Sequence, residues 1–221
     1  SHVNEKILHC TKYYIDSNGK LSQSGNYKSS GELFVTEFSD EEGNKSYEFK
    51  NKLGQVVLTR QANTANNRTE YLDTYFVYDD FSNLRYVLPP MAVDKLTDLS
   101  DDNEVMKQYV FVYKYDKRKR CIKKRLPGCE WIYMVYDKAD QLILSQDGEQ
   151  RKENKWAFNA YDKFGRLAFS GIHKDHYGPA AARTHEYLIN QLKDLVIQET
   201  PSRLYGHSTL LYEQIGASPF H

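Results

Sequence analysis

The stretch Tyr161-Asp162-Lys163-Phe164-Gly165-Arg166-Leu167 constrains the fold more than any other, because weaker copies of it recur along most of the chain. Its physics is local. An aspartate at the start of a turn accepts hydrogen bonds from backbone N–H groups two or three residues on. A glycine three residues later suits the left-handed backbone of a type I turn followed by a bulge. The tyrosine before the aspartate suits a half-buried strand, with a hydroxyl that reaches water or a backbone partner. The basic and aliphatic residues after the glycine restart a strand. The unit therefore predicts a β-hairpin turn.

Aligning the chain on the aspartate brings out the other copies. Asp16 and Gly19 head Ile15-Asp16-Ser17-Asn18-Gly19-Lys20-Leu21, and Asp40 and Gly43 head Asp40-Glu41-Glu42-Gly43-Asn44. Asn51 and Gly54 form a third, with asparagine in place of aspartate. Asp79, Asp116 and Asp137 begin three more, in which Ser82, Lys119 and Asp140 stand where the glycine belongs, so uneven turn geometry is expected there. With Asp162 and Gly165 the copies number seven, irregularly spaced. Irregular spacing excludes a strict solenoid period and predicts hairpins of varied length on a common sheet.

Between the turns, strand-like runs span 6–15, 32–38, 45–50, 55–60, 72–78, 84–88, 109–115, 121–125, 131–136, 141–146, 156–161 and 167–170. Residues 22–30 and 62–69 read as polar loops, and Asn67-Arg68-Thr69 within the second is a glycosylation sequon. Asp147-Gly148 reads as a further tight turn. Strand signal vanishes over 91–108, where Leu96, Leu99, Val105 and Met106 predict one or two short helices capped by Ser100 or Asp101. Pro179 and three alanines open a predicted helix over 180–198, with Leu188, Leu192, Leu195 and Val196 on one face; a tail follows over 203–221. The expected fold is mainly β: antiparallel hairpins in a curved or spiralling sheet, one domain over 1–221 with that helical insertion and one C-terminal helix.

Formal charge sums to zero over 221 residues, so no global basic field recruits nucleic acid, and no apolar run approaches the ~20 residues of a membrane span. Eighteen tyrosines against two tryptophans suit strands and broad amphipathic surfaces. Ser1-His2 is read as a cloning remnant, and the chain as cut from something longer. Cys10, Cys121 and Cys129 have no metal or redox spacing. Cys121 and Cys129 either bridge across the Pro127-Gly128 hairpin or stay reduced, and free thiols are the expectation.

Candidate chemistry is sparse. His173-Lys174-Asp175-His176, with His185, is the one cluster resembling a metal site, but it reads as loop without helical ligand spacing, and neither metal nor cofactor is expected. No nucleophile elbow, phosphate loop or dinucleotide fingerprint occurs, and an enzyme is not expected. The strongest basic run passes through Lys117, Arg118, Lys123 and Lys124, interleaved with Tyr113 and Tyr115. It is either a solvated hairpin tip, which zero net charge favours, or a site for an anionic glycan or nucleic acid, or more broadly for carbohydrate or a partner surface.

The recurring Tyr-Asp-x-x-Gly-Arg-Leu resembles the YD repeat of RHS (rearrangement hot spot) proteins. Tyr75 to Pro90, Lys124 to Gly128 with Tyr133 to Asp137, and Trp156 to Gly171 are similar to segments of RHS-repeat proteins of Bacteroidetes. The likeness runs from about residue 30 to 171. It implies a ribbon of hairpins forming a hollow secreted or cell-surface shell around a C-terminal effector, with this chain as an upstream portion. The Asp-Pro-rich autoproteolytic motif of that family has no counterpart here, so cleavage is not carried over. The implied partner is the remainder of a larger RHS polypeptide.

Overall fold

Among the residues described in this computed structural model, 9–27, 31–65, 68–174 and 185–194, thirteen strands and four short helices form. They divide into two compact units: Ser1–Tyr113 with Arg125–Cys129, and Lys114–Lys124 with Glu130–His221.

The first unit begins with a separate two-stranded ribbon, β1 (Thr11–Ile15) and β2 (Leu21–Asn26). The polar stretch expected as a loop over 22–30 is thus a strand as far as Asn26, with Tyr14 opposite Ser22 and Tyr13 opposite Gln23. Ladder bonds belong to the backbone and need no apolar side chain, and the outer residues of this ribbon face solvent. β3 (Leu33–Ser39), β4 (Lys45–Asn51), β5 (Val56–Ala65), β6 (Arg68–Tyr78) and β7 (Leu84–Leu88) follow as a meander.

The predicted asparagine-rich loop over 62–69 is also a correction. β5 and β6 pair to their ends, Asn63 opposite Glu70, Thr64 opposite Thr69 and Ala65 opposite Arg68. A hydroxyl contact of 3.0 Å joins Thr64 and Thr69. The run reads as loop because both its faces are wet, which removes the alternation that marks a half-buried strand. Asn67 of the sequon lies outside the described residues.

Register sorts the first unit's side chains by face. Val35, Phe49, Leu58 and Tyr75 form one row across β3 to β6, and Glu37, Tyr47, Arg60 and Asp73 the next on the same face. Phe49 and Leu58 are fully buried there. The opposite face carries Thr36, Glu48, Thr59 and Thr74. The β1–β2 ribbon docks on the buried face: Tyr13 meets Tyr75 edge-on at 5.0 Å, and the Thr11 N–H reaches the Tyr75 hydroxyl at 3.3 Å. Beneath it Arg60 donates to both carboxylate oxygens of Asp73, at 2.7 and 2.6 Å, and to the carbonyl of His9 at 2.9 Å.

The helical insertion contains α1 (Pro90–Lys95) and α2 (Glu104–Tyr109). Its cap is Asn103, whose side chain accepts from the Val105 N–H, rather than Ser100 or Asp101. Asp101 instead accepts from the buried Tyr86 hydroxyl at 2.8 Å, while its carbonyl accepts from Arg125. A cap must sit at the first helical turn, and here the turn forms only after residue 103.

The second unit takes the end of β8 (Phe111–Tyr115), most of β9 (Cys121–Arg125), then β10 (Ile132–Tyr136), β11 (Leu142–Gln146), β12 (Lys155–Tyr161) and β13 (Leu167–Lys174). Asp147-Gly148 opens α3 (Gly148–Lys152) rather than a tight turn, because Asp147 and Gln150 cap each other reciprocally. In β12 Trp156, Phe158 and Ala160 alternate inward. With Val135, Ile143 and Leu144, Trp156 and Phe158 receive Leu188 and Leu192 of α4 (His185–Leu192); the helix expected over 180–198 thus ends at Leu192, with Lys193 and Asp194 in a turn. Leu195, Val196 and the tail lie outside the described residues. Gly171 faces Phe158, and a Cβ there would stand 2.9 Å from the ring, so the aromatic occupies the space a side chain would need.

Within each unit hydrogen-bonded order follows chain order, from β3 to β8 in the first and from β8 to β13 in the second. The fold is therefore mainly β, a long antiparallel series of hairpins with short helices. All three cysteines are free thiols.

Candidate functional site

All seven repeats close the same turn. In each, the first residue donates its N–H to the carbonyl of the fifth, and the fourth donates to the carbonyl of the first; in the Asp16 turn both bonds are 2.9 Å. The first side chain then accepts, through one oxygen, the N–H groups of the third and fifth residues; for Asp16 these are Asn18 at 2.9 Å and Lys20 at 2.8 Å. The same pair occurs at Asp40, Asn51, Asp79, Asp116, Asp137 and Asp162. Asparagine serves at Asn51 because the contact needs one side-chain oxygen and no charge.

The fourth position takes a left-handed backbone throughout, with φ from 62° at Lys119 to 82° at Gly43. Uneven geometry at the copies without glycine is thus overturned: Ser82, Lys119 and Asp140 adopt φ of 65°, 62° and 64°. Four hydrogen bonds per turn hold these residues where a Cβ costs about 1 kcal/mol. Register shifts at Val77/Tyr78, Phe49/Lys50, Val135/Tyr136 and Ala160/Tyr161 mark the bulge that accompanies such a turn.

A fifth-position residue, missed in the sequence, completes the carboxylate. The other oxygen accepts from the side chains of Asn44, Asn83, Arg120 and Arg166, at 2.9, 3.1, 2.7 and 2.8 Å. The signal was an asparagine or arginine four residues after the aspartate in four of seven copies. At Asp79 burial pulls the carboxyl up, but the Asn83 amide and backbone, the Phe81 N–H and nearby Arg85 outweigh it and hold it below its ordinary value. Asp162 is likewise lowered, with burial opposed by Arg166 and the Phe164 N–H. At Asp40 the Asn44 side chain leads the same effect.

In an antiparallel meander every second connection falls at the same end of the strands. Within the second unit the turns headed by Asp116, Asp137 and Asp162 therefore share one rim, while α3 lies at the other. Arginines tie the first two together. Arg118 donates to the Lys138 carbonyl and to Asp140, both at 2.8 Å. Arg120 donates to the Asp137 carbonyl at 2.8 Å and to Asp140 at 3.0 Å.

The six residues proposed for binding separate. Lys117 and Arg118 are exposed on the Asp116 turn, beside half-buried Tyr115. Lys123 and Lys124 lie on β9, roughly 15 Å further along the strand, and the Lys123 ammonium sits 4.5 Å from the Trp131 ring centroid. Tyr113 belongs to the first unit, where its carbonyl accepts from Arg85 at 3.0 Å.

His173 is a strand residue opposite Trp156, not part of a loop. His185 stacks on Tyr133 at 4.5 Å, and its Nε2 lies 3.0 Å from the Met134 carbonyl. Asp175 and His176 lie outside the described residues, among which no group of three His, Cys, Asp or Glu could hold a metal ion. No described helix is long and apolar enough to cross a membrane.

No family model matches this sequence, and a search of curated proteins finds no match. Solved structures do match, and those with a TM-score of 0.51 support an RHS-like fold. The crystal structure of TcdB2-TccC3 aligns with 76% of this chain at a TM-score of 0.51 and 12% identity. TcdB2-TccC3 without its hypervariable C-terminal region aligns with 73%, at 0.51 and 13%. The Photorhabdus luminescens Tc holotoxin pore covers 84% of the chain at 0.47 and 10%. The match occupies 9% and 8% of the two TcdB2-TccC3 chains, so this chain spans less than a tenth of their length.

Proposed function

We propose that this chain is a structural module, one stretch of the wall of a larger secreted or cell-surface RHS-type shell that encloses a C-terminal effector. The observation that carries the reading is the seven-fold recurrence of one turn, bond for bond, along strands that pair in chain order. Such a design extends a sheet without limit by adding hairpins. It dedicates the most distinctive polar residues, the turn carboxylates, to backbone N–H groups and so leaves them no catalytic task. The RHS-like fold supports it, and the likeness of Tyr75 to Pro90 to Bacteroidetes proteins suggests the branch. On this reading the module performs no chemistry of its own, and its partner is the remainder of the polypeptide.

The test is the mass and location of the native polypeptide, detected with an antibody raised against this chain. A species well above 25.8 kDa in the envelope or medium is expected. A native species near that mass leaves no shell to build and overturns the proposal.

A further inference from the structure

The second unit's rim carries a regularity beyond the turn itself. Each of its three turns reads Tyr-Asp-Lys: Tyr115-Asp116-Lys117, Tyr136-Asp137-Lys138 and Tyr161-Asp162-Lys163. Because the turns close with the same bonds, the three lysines leave the backbone from equivalent positions, and all three are exposed. Turns that recur on every second strand stand about 9.5 Å apart. The rim therefore presents a row of ammonium groups at near-constant spacing. The corresponding residues in the first unit's turns are Ser17, Glu41, Lys52 and Asp80, with no such row.

The rim's acids are already engaged. Asp116 binds Arg120, Asp140 binds Arg118 and Arg120, and Asp162 binds Arg166. Among the described residues none of Lys117, Lys138 and Lys163 joins an ion pair; Lys163 rests 5.0 Å from the Phe164 ring centroid. Arginines thus neutralise Asp116, Asp140 and Asp162, Asp137 is fully buried, and the lysines give the rim its field.

We propose that this lysine row binds a linear anionic polysaccharide, sulfated or uronate-bearing, laid across the turns. An extended acidic polysaccharide repeats its charge once per disaccharide, a period commensurate with the turn spacing. Single-stranded nucleic acid needs a succession of stacking aromatics. The rim exposes one, Phe164, since the equivalent turn positions are Arg118 and Ala139; Tyr115, Tyr136 and Tyr161 are half-buried, and the hydroxyls of the last two donate to the carbonyls of Cys121 and Leu142. A membrane surface needs apolar residues to insert beside the basic ones, and the large exposed ones near the rim, Phe164 and Leu167, both belong to the Asp162 turn, leaving none beside Lys117 or Lys138. The inference stands apart from the shell reading, because it concerns one rim and not the length of the native polypeptide.

The experiment titrates the full chain with a heparin octasaccharide by calorimetry, at several salt concentrations. Lys117→Ala, Lys138→Ala and Lys163→Ala are each expected to weaken binding about threefold, and the triple variant about thirtyfold. The salt dependence should become shallower by roughly one counterion per lysine. A charge-matched control replaces Lys20, Lys52 and Lys95 with alanine and is expected to bind as the wild type does. Far-UV circular dichroism checks that each variant keeps its fold. The proposal is overturned if the wild type does not bind, if the rim triple binds normally, or if the control triple loses as much. It is also overturned if a deoxythymidine oligonucleotide or phosphatidylserine vesicles bind more tightly than the octasaccharide through the same three lysines.

Discussion

In the turn that begins at Asp137, two backbone N–H groups point at one carboxylate oxygen of a fully buried side chain. Removing the acceptor leaves both donors to find water in a closed site, so Asp137→Ala should cost about 2 kcal/mol in urea unfolding. Asp137→Asn should cost less than half of that, since Asn51 makes the same contacts in its own turn. Backbone strain lies at the fourth position. Ser82→Gly removes a Cβ from a φ of 65° and should stabilise by about 0.5 kcal/mol, the denatured-state entropy of glycine offsetting part of the relief. Gly165→Val should do the opposite by more than 1 kcal/mol. Thermal unfolding reads both signs. A result in which Ser82→Gly destabilises would mean that the serine side chain has a role the turn bonds do not explain.

At the scale of elements, two docking events are specified by buried polar groups. The β1–β2 ribbon is held by Arg60, whose guanidinium spans Asp73 and the His9 carbonyl and lies over the rings of Phe49 and Tyr71. Asp73→Ala strands that charge beneath the ribbon and should cost about 3 kcal/mol, with faster hydrogen exchange in β1 and β2 than in β8 to β13. Helix α4 is held partly by His185 on Tyr133. Burial, then nearby Lys123 and Arg151, pull the imidazole below its ordinary value of 6.5 against the lift from backbone contacts. As pH falls through 6.5, the undocked histidine takes a proton before the docked one, and the docked state loses stability until the lowered value is passed. Exchange protection of α4 should therefore decline below pH 6.5, and His185→Phe should abolish that decline.

Over the whole molecule the lowered carboxyls act together. Asp40, Asp79 and Asp162 all sit below the ordinary 3.8. Their contribution is complete above 3.8, where the unfolded carboxyls are also ionised, and is lost as pH drops through the folded values. In the His185→Phe background, which removes the histidine's own contribution, the urea midpoint should thus hold from neutral pH to about 4 and fall steeply toward pH 2. A midpoint that is flat to pH 2 would show that the turn carboxylates contribute nothing net.

The hairpin series, the helical insertion and the seven turn positions could all be read from residues alone, because a turn's hydrogen bonds close within five residues. The irregular repeat spacing also has a local origin. Opposite-rim connections differ in length, from the short β5–β6 link to the insertion between Leu88 and Phe111. What the residues could not show was whatever depends on a partner distant in the chain. The ribbon over 22–26 and the wet ends of β5 and β6 are strands only because a neighbouring backbone pairs with them. Asp101 left the cap for Tyr86, and Lys119 was held left-handed without glycine. The lysine row was present as three identical tripeptides, but their common rim follows from the antiparallel order of the strands, which only the tertiary structure decides.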